Sequence, residues 1–151
     1  MSEFKTLLEE VRSVCRSHAR AEDKMAQICH MLQEVDGYDW VGFYLVDPDR
    51  HDSLVLGSHV GSDNPHKELV FGKGVCGQVA ERQTTIVVDK VADELNYLSL
   101  DPAVKSEIVL PLFRQGRLAG MLDVESVTEA RFGDRDRLFL EEVCLQMTDQ
   151  I

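Results

Sequence analysis

Basic residues are scarce in this chain of 151 amino acids. Lysine and arginine together number 16, against 27 aspartates and glutamates, which gives a formal net charge of −11. Nucleic acids and anionic membrane surfaces attract basic patches, so this imbalance argues against both as partners. The sequence also lacks the run of about 18 apolar residues that a membrane-spanning helix needs. Its N-terminus has no apolar signal-peptide core, and we therefore expect a cytoplasmic protein.

Cysteines are few as well, and none belongs to a CxxC pair. The four cysteines, Cys15, Cys29, Cys76 and Cys144, are not spaced like the ligands of a structural zinc site. In a reducing compartment we expect all of them to remain thiols. A P-loop and a Gly-x-Ser-x-Gly nucleophile elbow are also absent. We accordingly expect no metal site and no cofactor.

The length suits one domain over residues 1–151, because two half-sized domains would each have a small core. Apolar residues at steps of three and four predict N-terminal helices within 1–36, either two helices or one bent helix. Segments rich in β-branched and aromatic residues predict a sheet with pocket loops over 37–132, followed by a C-terminal helix over 133–151. This order of elements predicts an α+β fold with an antiparallel sheet. The predicted strands are 38–46, 53–60, 85–88, 107–113 and 117–126, with a short helix at 75–82 and a structured loop at 89–105.

Alternation along three of these strands separates an apolar face from a polar one. Residues two positions apart in a strand share a face of the sheet. The apolar face suits packing by the terminal helices, and it comprises Val41, Phe43, Leu45, Ile108, Leu110, Leu112, Leu118, Leu122 and Val124. The second face gathers two aromatic rings and three acids, which are Trp40, Tyr44, Glu107, Asp123 and Glu125.

The acids of this second face carry the functional information. Asp123 and Glu125 lie in an apolar strand, where neighbouring carboxylates repel each other and burial raises a pKa. An amine or another cation would stabilise them, and Trp40 and Tyr44 would add an aromatic wall for a positive group. We predict a pocket for a small polar ligand, such as an amine or amino acid, between the sheet and the loop that crosses it. The alternative is that both acids face solvent and pair with Lys105, Arg114 or Arg117.

A glycine-rich segment, Gly72–Gly77, leads into the short predicted helix. Its free N–H groups suit an anion such as a carboxylate or phosphate. The alternative is that the glycines only permit a tight loop and close packing. Cys76 lies in this segment, near a helix start that would stabilise a thiolate. It is either a functional thiol or an inert packing residue.

Five ordered segments of the chain together resemble a GAF domain. They extend over about residues 37–147, nearly the whole sequence. The resemblance implies a central antiparallel sheet with the terminal helices packed on one face, and a ligand pocket with a crossing loop on the other. The segments are 40–45 (WVGFYL), 72–80 (GKGVCGQVA), 106–112 (SEIVLPL), 120–126 (GMLDVES) and 132–136 (FGDRD).

Within that family the chain is most similar to the free methionine-(R)-sulfoxide reductases. The resemblance implies that two aromatic residues and three acids line the pocket and bind the ligand: Trp40, Tyr44, Glu107, Asp123 and Glu125. The position of Glu125 is usually Asp in those enzymes. Cys76 matches their resolving cysteine, whereas Leu100 occupies the position of their catalytic cysteine. A leucine cannot attack a sulfoxide.

Three functional hypotheses follow from the presence of Leu100 at the position of the catalytic cysteine. The first is a small-molecule-binding GAF module with a sensory or regulatory role and no catalytic cysteine. The second is a free methionine-(R)-sulfoxide reductase that acts through Cys76 and an external dithiol. The third is an interaction module with a vestigial pocket. The family resemblance further implies that the terminal helices can pair two subunits as a homodimer.

Overall fold

The computed structural model describes residues 2–150, which form an α+β fold with a curled antiparallel sheet. Within this range, none of the helices is long and apolar enough to cross a membrane. The helices are α1 (Ser2–Arg16), α2 (Ala21–Gln33), α3 (Gly74–Arg82) and α4 (Asp134–Met147), with a 3-10 turn at Val91–Asp93. The strands are β1 (Trp40–Val46), β2 (Ser53–Val60), β3 (Glu68–Val70), β4 (Ile86–Val88), β5 (Ser106–Arg114) and β6 (Arg117–Ser126).

The strands lie side by side in the order β3-β2-β1-β6-β5-β4. Every neighbouring pair is antiparallel, as the order of predicted elements indicated. Strand β3 was not predicted. It has only three residues, Glu68–Val70, which is too short for an alternating pattern to be recognised. Its position at the edge depends on pairing with the start of β2.

Helices α1, α2 and α4 cover one face of the sheet, as expected for the terminal helices. The core between them and the sheet includes Val11, Ile28, Leu32, Val41, Phe43, Leu110, Leu122, Val124, Leu140 and Val143, all at most 1% exposed. Burying a side chain of this size contributes about 1.5–3 kcal/mol, so this layer supplies most of the driving force for folding. Outside this core, α4 leaves Leu138 and Leu145 exposed, and a homodimer through the terminal helices stays a prediction.

The sequence places Leu118 on the wrong face of the sheet. It packs instead on the opposite side, against the cluster that contains Tyr44, Val109 and Met121. The reason is a bulge in β6, because Leu112 pairs with Gly120 while its neighbour Phe113 pairs with Leu118. One extra residue in a strand reverses the direction of the side chains beyond it.

The N-terminal segment forms two helices, and a buried lysine joins them. The ammonium of Lys24, in α2, donates a hydrogen bond of 2.8 Å to the carbonyl of Cys15, in the last turn of α1. Carbonyls in the last turn of a helix have no partner within the helix, and a cation there also meets the negative end of the helix dipole. Lys24 therefore stabilises the break between α1 and α2. The hydrophobic spacing alone had left open whether this segment forms two helices or one bent helix.

The start of α4 is fixed to the sheet by Asp136. Its carboxylate accepts hydrogen bonds from the Tyr38 hydroxyl at 2.8 Å, from Arg131 at 2.9 Å and from the backbone N–H of Gly133 at 3.0 Å. These bonds cap the helix and hold it beside the beginning of β1. The segment 132–136 therefore has a structural role, and it lies on the face of the sheet that the helices cover.

Candidate functional site

The other face of the sheet carries α3 and the crossing loop, which is the segment 89–105 between β4 and β5. A cavity of about 20 Å³ lies between these elements and the sheet. That is space for roughly one water-sized group. The cavity is lined by Tyr44, Asn64, His66, Leu69, Gly74, Val75, Cys76, Leu98, Leu100, Glu107, Asp123 and Glu125.

Three carboxyl groups converge on this cavity from β5 and β6. Glu107 lies directly opposite Glu125 across the two strands. Asp123 precedes Glu125 by two residues and lies on the same face of the sheet. Their exposed fractions are only 4% for Glu107 and 2% each for Asp123 and Glu125. The alternative in which Asp123 and Glu125 face solvent is therefore wrong. The pairing of β5 with β6 brings Glu107 to two acids that lie 16 and 18 positions away in the sequence.

Burial is the main cause of an upward shift in the pKa of each of these carboxyls. Repulsion among the three groups raises the pKa of Asp123 and of Glu125 further, and the proximity of Cys76 adds to the effect at Asp123. Three negative charges in a buried pocket are unfavourable without a compensating positive group or bound protons. The site is therefore suited to a cation or to several hydrogen-bond donors.

Asp123 has the most incomplete environment of the three. Its Oδ2 accepts the thiol of Cys76 at 3.6 Å, but its buried Oδ1 has no hydrogen-bond partner. Among the residues that the structure describes, this is the one buried side-chain oxygen or nitrogen without a hydrogen-bond partner. A buried acceptor without a donor costs about 1–3 kcal/mol, and more if it is charged. This oxygen lines the cavity and is available to a ligand.

Glu125 receives a donor from the crossing loop. The Tyr97 hydroxyl donates to Glu125 Oε1 at 3.3 Å. Burial and the charge of Glu125 raise the pKa of Tyr97, so the phenol remains a neutral donor. Tyr97 was not predicted as a site residue, because the loop has no hydrophobic period that would fix its orientation.

Cys76 lies in the first turn of α3 and faces the acids. Burial raises the pKa of its thiol well above the ordinary value, and the charges of Glu107 and Glu125 raise it further. The prediction that the helix start would stabilise a thiolate is therefore wrong, since burial and the acids outweigh the helix dipole. In this state Cys76 is a hydrogen-bond donor and a weak nucleophile.

The glycine-rich segment forms a tight loop that bonds to itself and to the crossing loop. Gly72 N–H donates to the Gly77 carbonyl at 2.9 Å, and Gly77 N–H donates to the Lys73 carbonyl at 3.1 Å. Gly74 N–H donates to Asn96 Oδ1 at 2.8 Å. A Cβ at Gly77 would lie 2.8 Å from the Val70 carbonyl oxygen, so close packing requires glycine there. These contacts favour the structural interpretation of the segment over an anion site.

The two predicted aromatic residues have different positions. Tyr44 lines the cavity, and its hydroxyl donates to the His66 carbonyl at 2.7 Å while it accepts from Asn64 at 2.9 Å. Trp40 is buried outside the lining, where its indole N–H donates to the Ser62 carbonyl at 2.9 Å. Its ring packs against Leu100. Trp40 thus supports the wall formed by Leu100 and is not itself at the cavity surface.

The structure therefore brings together five of the six residues singled out in the sequence: Tyr44, Cys76, Glu107, Asp123 and Glu125. It adds lining residues from loops that carried no signal in the sequence, among them Asn64 and His66. The side chain of Asn64 is only 2% exposed and bonds both Tyr44 and the backbone N–H of His66. A buried asparagine with these partners holds the rim of the cavity in place.

The fold agrees with comparison to known proteins. The sequence profile of the GAF domain matches residues 18–151. The chain belongs to the GAF domain family. Its relatives include GAF domain-containing protein A of Dictyostelium discoideum, which is 30% identical over 141 residues, covering 93% of this chain and 87% of the relative.

Free methionine-R-sulfoxide reductases are among the relatives of this GAF domain. The Escherichia coli (strain K12) enzyme is 32% identical over 117 residues, covering 78% of this chain and 68% of the enzyme. The structure of the Neisseria meningitidis enzyme in complex with its substrate superimposes with a TM-score of 0.92 and 35% identity, over 97% of this chain and 87% of that chain. The resemblance inferred from the five sequence segments is thereby confirmed.

Proposed function

We propose that this GAF domain binds a small polar ligand with an ammonium group and has a sensory or regulatory role. The observation that carries the proposal is the unpartnered Oδ1 of Asp123, buried at the wall of a cavity with two further carboxyls. An ammonium group has three N–H donors and one positive charge. It supplies a hydrogen-bond donor for Oδ1 of Asp123 and a positive charge beside the three carboxyls.

The relatives suggest which ligand to test first. The Neisseria meningitidis enzyme was crystallised with its substrate, and its name identifies free methionine-R-sulfoxide as the molecule on which it acts. That molecule is an amino acid with a free ammonium group. Its carboxylate, by contrast, would be repelled by the acids and would have to point away from them, toward the rim with Asn64.

Binding of an amino acid requires the crossing loop to move. The cavity of about 20 Å³ is far smaller than an amino acid. Leu98 and Leu100 lie over it from the loop, and Leu98 is 38% exposed. Because loop residues with an exposed side open at lower cost than the sheet, we place the movement at 89–105 and not at β5 or β6.

Calorimetric titration tests the binding proposal. We expect methionine-(R)-sulfoxide or methionine to bind, and an analogue without the amino group to bind more weakly. Asp123→Asn should weaken binding by about tenfold or more, because it removes a charge-assisted hydrogen bond. Asp89→Asn is the matched control at an exposed aspartate near the start of the loop, and it should bind like the unmodified chain. Equal affinity of the two variants would contradict the proposal.

Reductase activity through Cys76 is the second candidate. Two observations favour it: the Cys76 thiol faces the cavity beside Asp123, and relatives of this chain include free methionine-R-sulfoxide reductases. In such a reaction the thiol takes the sulfoxide oxygen, giving methionine and a sulfenic acid on Cys76. An external dithiol then reduces the sulfenic acid to the thiol, forming one disulfide and one water. The raised pKa of Cys76 opposes the first step.

An activity assay separates the two candidates. With free methionine-(R)-sulfoxide and dithiothreitol, we expect the chain to form methionine no faster than Cys76→Ser, because a buried neutral thiol is a poor nucleophile. Cys144→Ser, which alters another buried thiol, is the matched control. Turnover that is retained in Cys144→Ser and lost in Cys76→Ser would establish the reductase instead.

A further inference from the structure

Three different kinds of side chain from three elements meet at one point of the cavity. Cys76 of α3, Glu107 of β5 and Asp123 of β6 place one sulfur and two carboxylate oxygens within 4.8 Å of one another. All three residues are buried. The three positions do not match the sequence spacing of any known metal motif. The sequence therefore gave no signal for this cluster, and no metal site was expected.

The distance between Sγ of Cys76 and Oδ2 of Asp123 suits a tetrahedral metal. Sγ of Cys76 and Oδ2 of Asp123 are 3.6 Å apart. With a metal–sulfur bond of about 2.3 Å and a metal–oxygen bond of about 2.1 Å, tetrahedral zinc separates the two ligand atoms by about 3.6 Å. A zinc ion between them would therefore require little movement of either side chain.

Two further observations point to an ion at this place. Oδ1 of Asp123 is buried at the cavity without a donor, although the rest of the described chain satisfies its buried side-chain atoms. The cavity of about 20 Å³ accommodates a single ion as it stands, whereas an amino acid requires the loop to open. The site can therefore bind a small cation without a conformational change.

We infer that Cys76, Glu107 and Asp123 form a binding site for one Zn²⁺ ion. Binding releases to solvent the thiol proton of Cys76 and any proton that Glu107 or Asp123 holds, and the thiolate and two carboxylates then carry three negative charges against two on the metal. Mg²⁺ and Ca²⁺ prefer six or more oxygen ligands, whereas one sulfur with two oxygens suits borderline-soft Zn²⁺. Three protein ligands leave a fourth position open toward the cavity.

This site goes beyond the proposed function and does not depend on it. Glu125 stays outside the ligand set, with its Oε1 on the Tyr97 hydroxyl. Zn²⁺ and an ammonium group would use the same carboxylates, so the two compete. Ligand titrations performed with a chelator test the amino-acid proposal alone, and metal titrations without amino acids test the zinc site alone.

Cobalt substitution is the first test. The full chain, reduced and freed of metal with a chelator that is then removed, is titrated with Co²⁺. We expect one Co²⁺ per chain, with a thiolate-to-cobalt charge-transfer band that Zn²⁺ abolishes. Cys76→Ser should lose the band, and Asp123→Asn should bind Co²⁺ about tenfold or more weakly. Cys144→Ser is the matched control, because it alters a buried free thiol outside the cavity and should keep the band.

X-ray absorption of the zinc-loaded, unmodified chain gives a result that does not depend on any variant folding. We expect one sulfur neighbour and otherwise oxygen neighbours around the zinc. The inference is overturned if the chain binds no metal, if the zinc has no sulfur neighbour or more than one, or if Cys76→Ser retains the charge-transfer band.

Discussion

Without ligand and with a chelator present, the chain should lose stability as the pH rises above about 4. Burial raises the pKa of Glu107, Asp123 and Glu125 in the folded state. In the unfolded chain the same groups titrate near pH 4. Between these values the folded state holds more protons than the unfolded state, so the free energy of unfolding falls with increasing pH.

The expected size of this effect is large for a chain of this length. Each carboxyl that titrates only in the unfolded state contributes a slope of about 1.4 kcal/mol per pH unit. The stabilisation is complete below about pH 4 and is lost as the pH passes through the pKa of the folded state.

Urea unfolding at several pH values measures this slope, with fluorescence of Trp40, the only tryptophan, as the probe. The double variant Asp123→Asn/Glu125→Gln should have a markedly smaller slope and greater stability than the unmodified chain at pH 8. Asp49→Asn, at an exposed aspartate in the turn after β1, should leave the slope as it is. If the double variant and the unmodified chain lose stability in parallel, the carboxyls are not held in their protonated form.

Gly120→Ala should be the most destabilising single-methyl change near the site. Gly120 lies in β6 opposite Leu45 of β1. A Cβ at this position would collide with the backbone carbonyl oxygen of Tyr44. Because that oxygen belongs to the adjacent central strand, relief requires β1 and β6 to separate. We expect a loss of about 3–5 kcal/mol, since overpacking against backbone has no flexible partner to absorb it.

Gly57→Ala is the matched control for this substitution. Gly57 is also a strand glycine, in β2, but its Cβ would meet the Phe43 carbonyl oxygen at 3.4 Å, an ordinary contact distance. We expect a change within about 1 kcal/mol. Equal stability of the two variants in urea unfolding would show that β1 and β6 can adjust, and that the position of Tyr44 relative to Asp123 is less rigid than the structure indicates.

The fold was predictable where patterns in the sequence are long. Alternation in β1, β5 and β6 identified both faces of the sheet, because every second side chain of a strand enters the same layer. The prediction was wrong at Leu118, where a bulge changes the parity, and it missed β3, which pairs over three residues. Bulges and edge strands depend on the partner strand, which a local pattern does not contain.

The site was predictable in its residue types and less so in its geometry. The acids and Tyr44 were identified because polar residues are conspicuous on an apolar strand. Trp40 was expected at the pocket wall, but Leu100, against which it packs, lines the cavity and Trp40 does not. Tyr97, in a loop without periodicity, was not identified at all. The positions of loop side chains depend on contacts made across the whole domain.

The sequence by itself determined the layer to which most residues of β1, β5 and β6 belong, because that follows from the two-residue repeat of an extended chain and from the cost of burying polar groups. Only the tertiary structure decided how close the acids come to one another and to Cys76, since antiparallel pairing of β5 with β6 and the packing of α3 bring distant residues together. The same proximity set the protonation of the site, because charge interactions and burial depend on distance in space and not on separation along the chain.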